Sequence, residues 1–393
     1  MDRVPLQGSV DRGVSADIQR QILGMIATGA ATNKAAIVRE SGLARSTVTE
    51  YLDRLRDAGV VIDAEHVQTP GRGRPPRALR INGDAGVVLA ADVGTHRTTL
   101  AVTDINRRVL VQRTIACELA EGPVTALDRI AAELDHMLTE SDVPRERVRA
   151  FAMGIPSPVD VAEGRPIHPP LMPGWDRYPV ADTLAERFAT RVLLDNDVNM
   201  MAIGDTAQPR DIKAPILFLH ISDGIGCGIV TSQGELLRGA DGAAGDVGHL
   251  RSHGNDDTVC RCGNVGCIES VASVTAIAHR VQERLADVVE LDNDALIEMI
   301  KDGNPIAVNE VRRAAMEIGE IAVTLVHVFN PASLILSGPL AVASDDLLAG
   351  VRAVVYRRAL PLATRALHIA TSTLGDQAGI QGAIRLAAEN AFV

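Results

Sequence analysis

Two stretches of this chain open in the same way: an apolar run reaches a polar residue, turns at glycine, and is followed by a second apolar run. The first is Val87 to Val93 (VVLAADV), before Gly94-Thr95. The second is Ile216 to Ile221 (ILFLHI), before Ser222-Asp223-Gly224-Ile225-Gly226 and a strand through Ile229. Around the first unit, hairpin spacing predicts further strands at about Thr98 to Asp104 and Val109 to Ile115. A helix from Pro123 to Glu140 follows, then strands at about Arg149 to Gly154 and Val192 to Leu194. Two hairpin-bearing α/β units of this kind predict two similar lobes with a ligand cleft between them. A length of 393 residues leaves room for one more domain besides.

That further domain shows in the charge. Residues 1–81 hold 12 Lys and Arg against 9 Asp and Glu, whereas the remainder holds 27 against 41. The overall charge of −11 argues against nucleic-acid binding for the whole chain, but it describes only the larger part. Within the smaller part, Ile18, Ile22, Met25 and Ile26 fall on one helical face. A short helix from about Asn33 to Glu40 stops at Ser41-Gly42, and a third from about Ala44 to Asp57 buries Val48, Leu52 and Leu55. Its outward residues include Arg45, Ser46, Thr47 and Thr49, short polar or basic groups of the kind that meet base edges and phosphates. Val60 to Ile62 and Ala78 to Ile81 read as a hairpin whose tip, Thr69 to Arg77, carries Arg72, Arg74 and Arg77 among Gly and Pro. The pattern is that of a winged helix-turn-helix whose arginine tip suits a narrow minor groove. A three-helix protein-interaction module with a solvated basic loop fits the helices alone.

Composition excludes other classes. With 46% hydrophobic and 23% charged residues the chain is neither disordered, collagen-like nor disulfide-stapled. No apolar run approaches the roughly 20 residues of a membrane span, and the start, MDRVPLQGSVDRGVS, lacks a signal-peptide pattern, so a cytoplasmic protein without membrane insertion is expected.

Three of the five cysteines, Cys260, Cys262 and Cys267, form a C-x-C-x4-C cluster with Gly263 and Gly266 inside it. Three thiols within eight residues in a reducing compartment point to a metal, and zinc suits soft thiolates in a closed four-ligand structural site. A reactive cysteine cluster is the competing reading. The fourth ligand is open on spacing alone, with His249 and His253 both near.

These features together resemble the ROK family of repressors and sugar kinases, in its regulator branch. The resemblance rests on the winged helix with its GRGRPPR tip, GIPSPVD (154–160), LDNDVNM (194–200), GDVGH (245–249), CRCGNVGCIE (260–269) and GDQAGIQGA (375–383). It implies an actin-like, two-lobed sugar-kinase fold preceded by the winged helix-turn-helix. The expected division is 1–81 for the DNA-binding domain, 82–205 for the first lobe, completed by a C-terminal helix at 375–393, and 206–374 for the second lobe with its zinc loop. It also implies His249 as the zinc histidine, and Asn196, Asp197, Asp246, His249 and Glu269 as sugar contacts. Asp197 matches the kinases' general base, although Asn196-Asp197 before Val198 is equally the pattern of a helix N-cap. Asp246 stands where the family usually has Glu, and Ser157 where it usually has Gly, which leaves the sugar open.

The kinases' nucleotide loops are altered. Asp92-Val93-Gly94-Thr95-His96-Arg97 lacks the second glycine of Asp-x-Gly-Gly-Thr-Lys. Ser222-Asp223-Gly224 places a carboxylate where Gly-Thr-Gly would meet phosphate, and Ser337-Gly338-Pro339 replaces a glycine pair. The expected function is a sugar-responsive regulator, most simply a repressor, without kinase activity. Its expected partners are operator DNA, a sugar or sugar-phosphate effector, and a second or further copy of itself as a homodimer or homotetramer. A sugar kinase with a regulatory head, and a repressor governed by a protein partner, are the alternatives.

Overall fold

The structure is a computed structural model that describes residues 18–27, 29–64, 78–170, 172–206, 212–252, 257–285 and 290–392. The chain begins with three helices, α1 (18–27), α2 (Lys34–Ser41) and α3 (Arg45–Asp57). Asn33 caps α2 by accepting from the Ala36 amide at 3.0 Å, and Gly42, at φ +69°, ends it. Ile22 and Ile26 of α1 and Val48, Leu52 and Leu55 of α3 are buried as their spacing predicts, Ile18 and Met25 are half-buried, and Leu23 and Tyr51 join the core unpredicted. Strands β1 (Val61–Asp63) and β2 (Leu79–Ile81) pair antiparallel, with Val61 opposite Ile81. The hairpin tip with Arg72, Arg74 and Arg77 lies outside the described residues.

The first lobe is a five-stranded sheet formed by β3 (Val87–Val93), β4 (Arg97–Asp104), β5 (Val109–Ala116), β6 (Val148–Ile155) and β9 (Arg191–Asn196), in the order β5-β4-β3-β6-β9. The β3–β4 and β4–β5 pairs are antiparallel, and β6 pairs in parallel with both β3 and β9. Helices α4 (Pro123–Glu140) and α5 (Val180–Phe188) belong here, as does a small hairpin, β7 (Val159–Asp160) with β8 (Arg165–Pro166). The run Val87–Ala91 is continuously apolar because both faces of β3 are covered there. Leu89, Ala91 and Val93 share a core with Leu127, Ile130 and Leu134 of α4. Val88 and Ala90 turn the other way, with Ala150 and Ala152, and their small side chains admit a helix from the end of the chain.

That helix follows the second lobe, whose sheet has the order β11-β10-β12-β13, from β10 (Ile216–Ile221), β11 (Ile225–Val230), β12 (Ser333–Ser337) and β13 (His368–Thr371). Here β10 pairs antiparallel with β11 and parallel with β12. Leu217, Leu219, Leu334 and Leu336 pack on a helical layer. It includes α7 (Ile268–Ala272), α8 (Val274–Arg284), α9 (Asn293–Lys301), α10 (Pro305–Phe329), α11 (Pro339–Ala343), α12 (Asp345–Arg358) and α13 (Pro361–Thr364). Finally α14 (Ala378–Glu389) packs against β3 and β6 of the first sheet.

One helix joins the two sheets. α6 (Asp197–Thr206) lies against α14 on one side and, through Val198 and Ala202, against Phe218 and Ile335 of the second sheet on the other. Both contacts depend on missing side chains: a Cβ at Gly382 would stand 1.7 Å from the Met200 carbonyl oxygen, and one at Gly228 2.4 Å from the Ala202 Cβ. The N-terminal helices and hairpin pack directly on the first lobe. Ile22, Leu52, Val61 and Ile81 belong to one apolar cluster with Ala101, Ala150 and Ile380. The Asn106 amide donates to the Ile81 carbonyl at 3.3 Å, and the Gln19 amide to the Phe392 carbonyl.

Candidate ligand cleft and metal centre

The cysteine loop is folded by its glycines. Gly263 (φ +88°) and Gly266 (φ +78°) turn the chain so that Val259 bridges Val265 and Arg251 bridges Cys267. The Cys260 amide donates to the Asn264 carbonyl at 2.8 Å, and the Ser252 amide to that of Gly266 at 2.7 Å. This folding brings one ligand atom each of His249, Cys260, Cys262 and Cys267 within 4.8 Å of one another, a group that could hold a metal ion. Cys260 Sγ lies 3.7 Å from His249 Nδ1, and Cys262 Sγ 3.7 Å from Cys267 Sγ. Without a cation, desolvation and then its two neighbouring thiols push the Cys267 thiol up to about 12. A divalent cation removes that obstacle, so the donor set fits a soft-ligand metal. His253, the other histidine considered, lies outside the described residues.

The loop is bound to its surroundings at both ends. Ser252 Oγ donates to Glu317 of α10. Arg261, between two of the thiols, donates to the Asp223 carbonyl at 2.8 Å and stands 3.6 Å from Glu269 Oε1. Glu269, in the first turn of α7, also accepts from the Ile225 amide at 3.2 Å. His249 uses Nδ1 toward the thiols, while Nε2 lies 3.9 Å from Asp246 Oδ1. Asp246, His249 and Glu269 thus come together on the second lobe.

Asn196 and Asp197 stand where β9 gives way to α6. Asn196 is the cap: its Oδ1 accepts from the amides of Val198 (2.9 Å) and Asn199 (3.2 Å), and its Nδ2 donates to the Ser157 carbonyl (3.2 Å). Asp197 Oδ1 accepts from the Val198 amide at 2.8 Å. Burial raises the Asp197 carboxyl to about 7 despite these hydrogen bonds. Asp92, at the end of β3, is raised to about 7 by burial first, then by Asp197 and Asp376. It lies against α14, where a Cβ on Gly379 would stand 2.3 Å from Asp92 Oδ2. His220, 3.4 Å from Ser337 Oγ, is held down to about 4 by burial. Asp376 and His220 escaped the sequence reading, although GDQAG had marked the segment holding the former. Concavities of about 440 and 140 Å³ run along α10, between Met316, Glu317, Arg358 and the Leu250–Ser252 segment, and none of the five candidate sugar contacts lines them.

The altered loops have local partners. His96 Nδ1 is 2.7 Å from Glu118 Oε2. Asp223 accepts from the Asn293 side chain through Oδ1 and from Arg261 through its carbonyl. On α3, Arg45 and Ser46 are exposed and Thr47 and Thr49 half-buried. The Thr49 hydroxyl donates back to the Arg45 carbonyl at 2.6 Å.

Comparison with known families matches residues 88–390 to the ROK family and residues 16–62 to a winged helix-turn-helix DNA-binding family. The chain belongs to the ROK family. It is 25% identical to the xylose repressor of Caldicellulosiruptor bescii, over 88% of this chain and 88% of that one. It is 28% identical to the glucokinase of Thermotoga maritima, over 77% of this chain and 97% of that one. Among solved structures, a ROK family transcriptional regulator, described as a homolog of the Escherichia coli Mlc protein, superposes with a TM-score of 0.80. That match has 22% identity and covers 96% of this chain and 97% of the other, which establishes the shared two-lobed fold with its winged helix-turn-helix.

Proposed function

We propose that this chain is a sugar-responsive transcriptional repressor in which residues 1–81 read operator DNA and a sugar or sugar derivative binds between the lobes. The lobes are residues 82–205, completed by 375–393, and residues 206–374. The observation that carries this reading is the union of two modules on one chain: a winged helix with Arg45, Ser46, Thr47 and Thr49 on its third helix, and a ROK body. The C. bescii xylose repressor matches 88% of the chain, whereas the T. maritima glucokinase matches 77%.

Asn196 and Asp197 on the first lobe, with Asp246, His249 and Glu269 on the second, supply the amide, imidazole and carboxylates that vicinal hydroxyls need. Zinc is the metal proposed for His249, Cys260, Cys262 and Cys267; bound there it is a closed structural crosslink with no open position for hydrolysis. The Asp223 carboxylate in the phosphate-loop position argues against nucleotide binding and hence against catalysis. Effector binding changes DNA affinity only through a difference in affinity for the open and closed arrangements of the lobes. A symmetric homodimer or homotetramer presents two winged helices to two half-sites.

A thermal-shift screen of sugars and sugar phosphates, with and without ATP, tests this reading. It is to be followed by titration of DNA fragments selected from a random pool. Stabilisation by one sugar class, independent of ATP, together with weakened DNA binding, is the expected result. DNA affinity unmoved by every stabilising sugar would sink it. The second reading, a sugar kinase with a DNA-binding head, is favoured by the Asp197 carboxyl near 7, suited to a general base. It requires sugar-dependent ATP turnover that Asp197→Asn abolishes.

A further inference from the structure

The residue before the Asn196-Asp197 pair is Asp195, whose side chain is 2% exposed. Both of its oxygens accept hydrogen bonds. Oδ1 accepts from the Asn196 amide and from Asn199 Nδ2, each at 2.8 Å. Oδ2 accepts from Arg238 Nε at 2.8 Å, and one Nη of the same guanidinium stands 2.8 Å away as its ion-pair partner. Arg238 does not come from the first lobe. It follows β11 of the second, just beyond the Leu237 amide that still bonds to the Ile229 carbonyl at 2.8 Å.

From Arg238 the chain crosses to the first lobe and returns. Gly239, Gly242 and Gly245 all have positive φ. At Gly242 the backbone lies so close to the first lobe that a Cβ would stand 2.6 Å from the Val159 carbonyl oxygen. At Gly245 it is back on the second lobe, where a Cβ would stand 1.8 Å from the Cys227 carbonyl oxygen. The Ala244 amide closes the excursion on the Arg238 carbonyl at 3.0 Å. The next residues are Asp246 and His249. The ion pair therefore stands one residue from the first-lobe half of the cleft and at the root of the loop that carries the second-lobe half.

We propose that Arg238 is a positioning residue for the effector. Its ion pair with Asp195 clamps the 239–246 loop across the cleft and thereby holds Asp246 and His249 opposite Asn196 and Asp197. An ion pair with a buried carboxylate fixes geometry when both carboxylate oxygens are hydrogen-bonded, as those of Asp195 are, and the Arg238 guanidinium supplies a directed Nε–H that an ammonium cannot. The proposal rests on the sugar cleft described above, and its test separates the two.

Amide hydrogen exchange and effector affinity are measured on the full chain and on Arg238→Met, Arg238→Lys and Asp195→Asn, well below each variant's unfolding temperature. Without effector, Arg238→Met is expected to speed exchange across residues 239–246 at least tenfold, leaving Ile225–Val230 and Ala378–Glu389 unchanged. Its affinity for the sugar found by the screen is expected to fall at least tenfold, with Arg238→Lys intermediate. Unchanged exchange in the loop overturns the clamp, and faster exchange with affinity within twofold of the parent overturns the positioning role. A parent protein that binds none of the sugars overturns the sugar reading, while the exchange result still decides the clamp. Should Arg238→Met fail to fold, Arg238→Lys and Asp195→Asn face the same criteria.

Discussion

Replacing Asp92 by asparagine removes one of two carboxyls that burial holds near 7 rather than at 3.8. Between those two values the folded chain keeps a proton on Asp92 that the unfolded chain has released. The stability this contributes is complete below about pH 4, falls by at most about 1.4 kcal/mol per pH unit for each such group, and is gone once pH passes about 7. A shift of about three units corresponds to about 4 kcal/mol for a fully desolvated carboxyl. Asp92 keeps partial contact with solvent, so about 2 kcal/mol is the expected magnitude. The asparagine variant carries no charge at any pH. It should match the parent near pH 4, exceed it by about 2 kcal/mol at pH 8, and lack the Asp92 share of the pH dependence between pH 5 and 7, leaving the fall due to Asp197 and the opposing rise due to His220 common to both proteins. Urea unfolding followed by circular dichroism at pH 5, 6, 7 and 8, without effector, reads this directly. Parallel pH profiles for the two proteins, or a variant less stable than the parent at pH 8, would refute the account of Asp92 as a buried acid disfavoured in its charged form.

Alanine in place of glycine within a helix ordinarily stabilises by up to about 1 kcal/mol. At Gly382, where the new Cβ would stand 1.7 Å from the Met200 carbonyl oxygen, Gly382→Ala should instead cost about 3 kcal/mol, and an unchanged urea midpoint would contradict the α6–α14 packing. Cys267→Ser removes a buried ligand from the four-residue group; zinc content measured by mass spectrometry should fall from about one per chain, with faster proteolysis across 258–266, and full occupancy in the variant argues against this ligand set. Arg45→Ala, at the exposed start of α3, should weaken binding across DNA sequences and lower the slope of log affinity against log salt by about one; a slope equal to the parent's removes Arg45 from the phosphate contacts.

The sequence was most informative where a local pattern carried its own boundaries. Val87–Val93, Ile216–Ile221 and Pro123–Glu140 fold over the lengths expected, because glycine turns stop the strands and Pro123 suits the first turn of a helix. The cysteine cluster was legible for the same reason: its spacing is its geometry. Less could be read where residues distant in sequence decide the structure. Asp195 and Arg238 lie 43 positions apart, and nothing in either neighbourhood announces the pair. Trp175, fully buried with its indole N–H on the Leu119 carbonyl at 3.0 Å, fixes a first-lobe segment that periodicity did not reveal. At Asn196-Asp197 the residues fitted both a cap and a ligand site. The structure gives the cap to Asn196 and leaves Asp197 as the buried acid.

The apolar cluster that runs from Ile22 to Ile380 joins the reading head directly to the first lobe. Under the proposed change in lobe arrangement, a turn of the first lobe carries α3 with it. Two such heads mounted on one assembly would act like the points of a pair of dividers, and the DNA beneath them has a fixed pitch.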